Sequence, residues 1–223
     1  MDENVTIGLE EAYSVKTPED VRRLYGKWAS TYESEFVDKR SYRYPQAIAE
    51  IFNGVVPNDG ITRVVDIGTG TGLTCKYLAA LRSNLIFDGI DISPEMLAQA
   101  ELKLRSNGAP VYRNLYERDL TKSVLGTDAP YDAFVCSGTF THGHLGPEAI
   151  EDLIPLVKAS GWIVFGVNNE HFFARGFAEE LARLSSAGLI SDPRLESIDV
   201  YGEGSIHRGD QARVVICTRL LPF

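Results

Sequence analysis

Long apolar runs, paired cysteines and basic clusters are all missing from this chain. No stretch approaches the roughly 20 apolar residues that a helical membrane span needs, so no membrane partner is expected. The N-terminal MDENVTIGLEE is acidic and lacks the basic region and apolar run of a secretory signal. Cysteine is scarce: Cys75, Cys136 and Cys217 form no CxxC pair. Cys136 and Cys217 sit in apolar runs and read as small buried hydrophobes. These features together set the expectation of a reducing, cytoplasmic protein. Positive charge is short as well. Lys+Arg total 22 against 31 Asp+Glu, a formal net charge of −9, with no Lys/Arg-rich block. Nucleic-acid binding draws on Lys/Arg–phosphate contacts, so no nucleic-acid partner is expected, although net charge does not report where charges sit. Internal repeats and Pro/Gly/Ser linkers are absent too. What remains, 223 residues with 44% hydrophobic and 24% charged, is the balance of an ordinary globular core. The expectation is a single domain over 1–223, with a helical cap at 1–60 and a core at 61–223.

After an irregular start over 1–16, Thr17-Pro18-Glu19-Asp20 opens a helix: a Thr N-cap, proline in the first turn and acids at the positive end of the dipole. Val21, Leu24, Tyr25, Trp28 and Tyr32 fall near one face. A second helix runs over 44–52. Strands and helices then alternate: strand 63–67, helix 71–81, strand 85–90, helix 94–106, strand 111–114, strand 133–137, helix 147–157, strand 162–167, helix 173–187. Strand-like segments at 198–201 and 212–219 close the chain without a helix between them, an antiparallel ending. This is the pattern of an α/β doubly wound, mostly parallel sheet with helices on both faces, whose ligand site lies at the carboxyl ends of the strands.

The segment Val64-Val65-Asp66-Ile67-Gly68-Thr69-Gly70-Thr71-Gly72-Leu73 carries the chemistry. An apolar strand runs into glycines at alternate positions and then into a helix, as a backbone does that must turn sharply beneath a ligand. The spacing is GxGxG, not the GxGxxG of the dinucleotide fingerprint. A carboxylate at Asp66 disfavours pyrophosphate and suits a cationic or zwitterionic ligand. Asp91 ends the next strand, roughly 20 residues on, where a carboxylate accepts from ribose hydroxyls. In Arg118-Asp119-Leu120 a carboxylate and a backbone N–H are placed to meet an adenine edge.

These segments resemble class I S-adenosylmethionine-dependent methyltransferases. DIGTGTG is similar to the first motif, GIDISPEMLAQA to the second, RDL to the third and YDAFVCSGTF to the fourth. The resemblance runs from about Val21 to Asn168, and the two-strand ending matches a seven-stranded sheet with a reversed last strand. THGHLGP and LYGKWASTYESEF look closest to the Williams–Beuren region methyltransferase-like proteins. The chain departs from the pattern before the fifth strand, where the usual Pro-Gly-Gly is Ala159-Ser160-Gly161-Trp162. The resemblance implies S-adenosylmethionine as cofactor and S-adenosylhomocysteine as product. Gly68 and Gly70, within the loop that also holds Thr69 and Gly72, would line the methionine moiety. Asp66 would stand near its ammonium group and Ser137 would offer that group a carbonyl. Asp91 would hold the ribose, Ile92 and Met96 would flank the adenine, and Asp119 and Leu120 would read its edge. Trp28 and Tyr32 would cover the cofactor as part of an N-terminal helical lid.

Structural alternatives stand beside these roles. Asp66 also suits a strand-end turn, Asp91 a helix cap, Met96 plain core, and Asp119 an exposed loop. Trp28 and Tyr32 also form the stripe of a helix packed on a core. His142 and His144 follow the fourth strand, where a substrate would lie. A neutral imidazole there can take a proton from a hydroxyl, amine or thiol, or be a satisfied loop residue. No cysteine or acidic cluster accompanies the His-x-His spacing, so no metal is expected. Asn168, Asn169 and His171 end the fifth strand and either face the pocket or cap the next helix. With Ser137-Gly138-Thr139-Phe140 where an Asn-Pro-Pro-Tyr segment would indicate amide or base nitrogen, the expected reaction is methyl transfer to a small-molecule O, N or S nucleophile. Two rivals are a catalytically silent S-adenosylmethionine-binding partner protein and a nicotinamide-dependent oxidoreductase. The oligomeric state is left open.

Overall fold

The computed structural model describes residues 15–122 and 129–220. The expected irregular start therefore falls mostly outside the described residues, at 1–14. Helix α1 spans Pro18–Trp28, with the Thr17 hydroxyl accepting from the Asp20 amide at 3.1 Å. The chain then tightens at Thr31, whose amide bonds Trp28 O, and continues as a π-helical segment, Tyr32–Asp38. Tyr32 is thus not on the same regular helix as Trp28. Helix α2 is Tyr44–Val55.

The alternating section builds β1 (Arg63–Ile67), α3 (Leu73–Leu81), β2 (Ile86–Asp91), α4 (Pro94–Glu101), β3 (Tyr112–Glu117) and β4 (Tyr131–Phe140). It continues through α5 (Ala149–Leu153) and a 3₁₀ turn at Ile154–Leu156 to β5 (Val157–Asn168), α6 (Asn169–Ala174) and α7 (Phe177–Ser186). Strands β6 (Arg194–Asp199) and β7 (Gln211–Thr218) end it. Three expected helices are shorter than their hydrophobic pattern. α4 stops at Glu101 rather than 106, because Gly108 turns the chain at φ +80° and Leu104 pairs back onto Pro110. The helix expected over 147–157 is cut by Pro155, which has no amide to continue it, and Val157 already begins β5. The helix expected over 173–187 divides at Gly176, at φ +75°. The strand expected at 198–201 sits earlier, and Tyr201 instead forms an isolated bridge with Tyr42.

All seven strands join one sheet in the order β3-β2-β1-β4-β5-β7-β6. β1 to β5 pair in parallel and β7 runs antiparallel to both β5 and β6. Alternation along β1 sends Val64 into one apolar layer and Val65 and Ile67 into the other. The first layer holds α2 and α3, with Ile48, Phe52 and Leu78 fully buried; each such side chain stabilises the fold by about 1.5–3 kcal/mol. The second holds α5 and α7 through Leu153, Phe177 and Leu181. Chain order reverses between β1 and β4, which opens the crevice where ligands bind in sheets of this kind. Among the described residues, no helix is long and apolar enough to cross a membrane.

Candidate active site

A cavity of about 290 Å³ occupies that crevice. Its floor is the loop after β1, where Gly68, Gly70 and Gly72 take φ +66°, +54° and +88°. The amides of Gly68 and Thr69 both bond Ile90 O, at 2.9 and 3.0 Å, which ties the loop to the end of β2. The glycines serve different ends. A Cβ on Gly68 would collide with the Thr139 side chain, and one on Gly72 would come within 2.8 Å of the Tyr112 ring. A Cβ on Gly70 would meet nothing within 4 Å, because it would point into open space where Gly70 lines the cavity.

Asp91 stands over this loop. Its Oδ2 accepts from the Gly70 amide at 2.7 Å and its Oδ1 from the Ser93 amide at 2.9 Å. Burial raises its pKa, with the amides of Ser93, Gly70 and Ile92 acting the other way. Two fixed amides hold the carboxylate rigidly and leave lone pairs for a diol. Ser93 caps α4 independently, its hydroxyl accepting from the Met96 amide at 3.2 Å. Thr69, Ile92, Met96 and Leu120 line the cavity. Asp119 does too, though its Oδ1 already accepts from the Thr121 amide and hydroxyl, at 3.0 and 2.6 Å. Burial works to raise the Asp119 pKa, but bonds from Thr121 and Lys122 outweigh it and hold the carboxyl low. Ser137 lines the cavity beside Thr74, their hydroxyls 2.7 Å apart.

Three expected site residues stand behind the wall instead of in it. Asp66 is 1% exposed, beneath the loop, and accepts from the Tyr112 hydroxyl at 2.6 Å. Burial pushes its pKa up to about 7, against the hydrogen bonds of Tyr112 and Cys75. Gly72 serves packing against Tyr112 and Ala100. His142 turns toward His171, ring centroids 5.2 Å apart, and is not among the lining residues.

His144 does line the cavity. Its Nδ1 lies 2.8 Å from His142 O. A carbonyl only accepts, so Nδ1 carries the hydrogen and Nε2 keeps the lone pair in the neutral ring. Nε2 is buried and has no hydrogen-bond partner among the described residues. Burial also lowers the ring's pKa, so the neutral form persists. The histidine pair is therefore unequal: of the two, His144 lines the cavity, and its Nε2 is a buried lone pair without a partner among the described residues.

The roof is aromatic. Trp28 and Tyr32 line the cavity, joined by Tyr25, Phe36, Tyr42 and Tyr201. Trp28 is 2% exposed and belongs to the core cluster while also lining the cavity. Tyr201, which sequence reasoning missed, arrives from beyond β6. The Arg43 amide bonds Val200 O at 2.9 Å and the Gly202 amide bonds Ser41 O at 2.7 Å, strapping cap to sheet edge. Asn168 both lines the cavity and caps α6, its Oδ1 accepting from the His171 amide at 3.1 Å. Among the described residues no cluster of three or more His, Cys, Asp or Glu is placed to hold a metal ion.

The comparisons with known proteins agree with this geometry. Residues 65–163 match the family model of a methyltransferase domain. The release factor glutamine methyltransferase of Bacillus subtilis (strain 168) is 28% identical over 111 residues, covering 50% of this chain and 36% of that protein. An uncharacterised protein of Synechococcus sp. is 31% identical over 101 residues, covering 45% of this chain and 24% of its own length. The chain thus spans well under half of these curated relatives. Among solved structures, an S-adenosylmethionine-dependent methyltransferase from Clostridium acetobutylicum superposes with a TM-score of 0.57 at 15% identity, covering 89% of this chain and 100% of that one. The plantazolicin methyltransferase bound to a substrate analogue and S-adenosylhomocysteine gives 0.56 at 14% identity, covering 90% and 95%. The fold is therefore that of S-adenosylmethionine-dependent methyltransferases: a seven-stranded, mostly parallel sheet with a reversed strand near the end.

Proposed function

We propose that this chain is an S-adenosylmethionine-dependent methyltransferase acting on a small-molecule nucleophile, with residues 1–60 as its cap and 61–223 as its core. The residues fit the cofactor. Gly70 leaves room where a ligand would back onto the loop, Asp91 presents a fixed carboxylate, and the Ile92–Met96 segment supplies an apolar face. When bound, S-adenosylmethionine supplies a methyl group already activated on a sulfonium. The protein's own tasks are then alignment, exclusion of water and, for a protic nucleophile, removal of a proton. In this reading Asp91 accepts from the ribose hydroxyls and Asp119 and Leu120 face the adenine edge. Ser137 meets the ammonium group by its carbonyl, and Asp66 acts on the loop from below. Trp28 and Tyr32 exclude water, and His144 Nε2 receives the acceptor's proton.

The observation that supports the small-molecule reading is a cavity of about 290 Å³, at the low end of ligand-pocket size, partly roofed by a cap that is strapped to the sheet edge at Val200 and Gly202. The release factor glutamine methyltransferase by its name acts on a protein, and THGHLGP and LYGKWASTYESEF favour the Williams–Beuren region methyltransferase-like proteins. Cytoplasmic residence and the absence of nucleic-acid partners belong to this proposal on charge and cysteine usage. Titration with S-adenosylhomocysteine and with NADH, followed by a methyl-transfer screen against small molecules and peptides, tests it. Micromolar S-adenosylhomocysteine binding without NADH binding is the expected result. Preference for NADH would overturn it in favour of the oxidoreductase, and binding without turnover on any acceptor would favour the silent partner.

A further inference from the structure

The acceptor's chemistry is written in the cavity's second wall. Away from the glycine loop and Asp91, the rings form a continuous chain: Trp28 and Tyr32 at 5.0 Å between centroids, Tyr32 and Phe36 at 5.3 Å, Phe36 and Tyr42 at 4.9 Å, Tyr42 and Tyr201 at 5.5 Å. The wall is seated at the carboxyl end of β4. Gly138, directly after Ser137, would bring a Cβ within 3.2 Å of the Tyr42 hydroxyl. Tyr25 extends the chain beyond Trp28, at 5.9 Å, and His144 adjoins that end, its ring edge-on to Tyr25 at 5.5 Å. Charge is nearly absent. Of the described lining residues only Lys16, Asp91 and Asp119 are charged; Lys16 is exposed, and the two acids belong to the cofactor side. The phenols of Tyr32 and Tyr42 stay protonated, because burial raises both well above the usual tyrosine range.

We propose that this wall is an acceptor subsite for a flat, uncharged aromatic compound carrying a hydroxyl, positioned with that hydroxyl toward His144 Nε2. The inference rests on the methyltransferase reading and deepens it. Offset and edge-to-face ring contacts reward an aromatic guest beyond its area, and a charged guest would find no counterion on this wall. As its oxygen bonds to the methyl carbon, the acceptor's O–H breaks and the proton passes to Nε2. The carbon–sulfur bond pair stays on sulfur, leaving a neutral thioether. An aromatic box also attracts ammonium groups through the ring faces, which is the alternative the experiment must separate.

The test is calorimetric, on the full chain saturated with S-adenosylhomocysteine. The probes are 2-naphthol, its saturated analogue decahydro-2-naphthol, and choline. The expected order is 2-naphthol at least about tenfold tighter than decahydro-2-naphthol, with choline not measurable. Tyr25→Leu should weaken 2-naphthol about tenfold and leave S-adenosylhomocysteine affinity within about twofold. Tyr201→Leu repeats the measurement from the other end should the first variant fail to fold. Choline binding more tightly, or the two naphthol forms binding alike or not at all, overturns the proposal while the methyltransferase reading stands. A protein that does not bind S-adenosylhomocysteine removes both.

Discussion

Gly70→Val separates folding from ligand binding more cleanly than any other change in this site. Gly70 sits at φ +54°. A side chain in the left-handed region costs roughly 1–2 kcal/mol, and a β-branched one lies at the upper end. Clash adds little to that, since a Cβ there would meet nothing within 4 Å. A loss of about 2 kcal/mol in a chain of this size lowers Tm by roughly 4–8 °C, so the variant should remain folded. The branches would project into the space proposed for the cofactor, beside the carboxylate that the Gly70 amide holds at 2.7 Å. Binding of S-adenosylhomocysteine should therefore vanish from calorimetric titration while circular dichroism shows a folded protein. Gly68→Ala provides the contrast. Its Cβ would overlap Thr139, so it should damage stability more than a smaller residue ordinarily would. Wild-type affinity in a folded Gly70→Val protein would refute the placement of the ligand over this loop.

The other predictions use the same probes. Asp91→Ala should cost about 1.5–3 kcal/mol of S-adenosylhomocysteine binding by removing a charged acceptor; unchanged affinity by calorimetry would end the ribose assignment. His144→Ala should lower turnover by roughly 10²–10⁴ with cofactor affinity intact, while His142→Ala, whose ring faces His171, should stay near wild type; equal rates for all three proteins would leave His144 structural. Asp66 titrates near 7 in the fold against about 3.9 unfolded, so the native state binds the extra proton and stability falls as pH rises through that window. Melting curves of wild type and Asp66→Asn should accordingly diverge between about pH 4 and 7, the wild type losing ground; parallel curves would contradict the buried, raised carboxyl. Amides of the cap over 17–36 should exchange slowly both with and without S-adenosylhomocysteine, since Leu24, Trp28 and Phe36 are buried and the cap is strapped to Val200 and Gly202; exchange slowed only by ligand would make the cap a mobile lid instead.

Local chemistry was sufficient to write most of the fold. Alternating strands and helices, proline and hydroxyl caps at Thr17 and Ser93, and glycines after an apolar strand each act over a few residues, so they are visible in order along the chain. The glycine-loop side of the candidate site is legible for the same reason. Its residues follow directly from the ends of β1, β2, β3 and β4, and a parallel sheet brings those ends together by construction. Helix ends were harder, because hydrophobic period overruns a break unless the local turn is weighed, as at Pro155 and Gly176. The aromatic wall was legible only in its N-terminal part, through Trp28 and Tyr32. Tyr201 meets Tyr42 only because β6 and β7 close the sheet next to β5 and carry a loop onto the cap, a contact across most of the chain length that no spacing encodes. The same holds for the histidines. His142 and His144 are equivalent as letters two apart, and backbone geometry decides that one gives its carbonyl while the other lines the cavity and keeps a buried nitrogen without a partner. Asp66 is the converse case. Its place in the motif was plain from sequence, but whether its carboxylate would reach the ligand or lie beneath the loop depended on Tyr112. That hydroxyl arrives from β3 and takes up the oxygen in the tertiary fold.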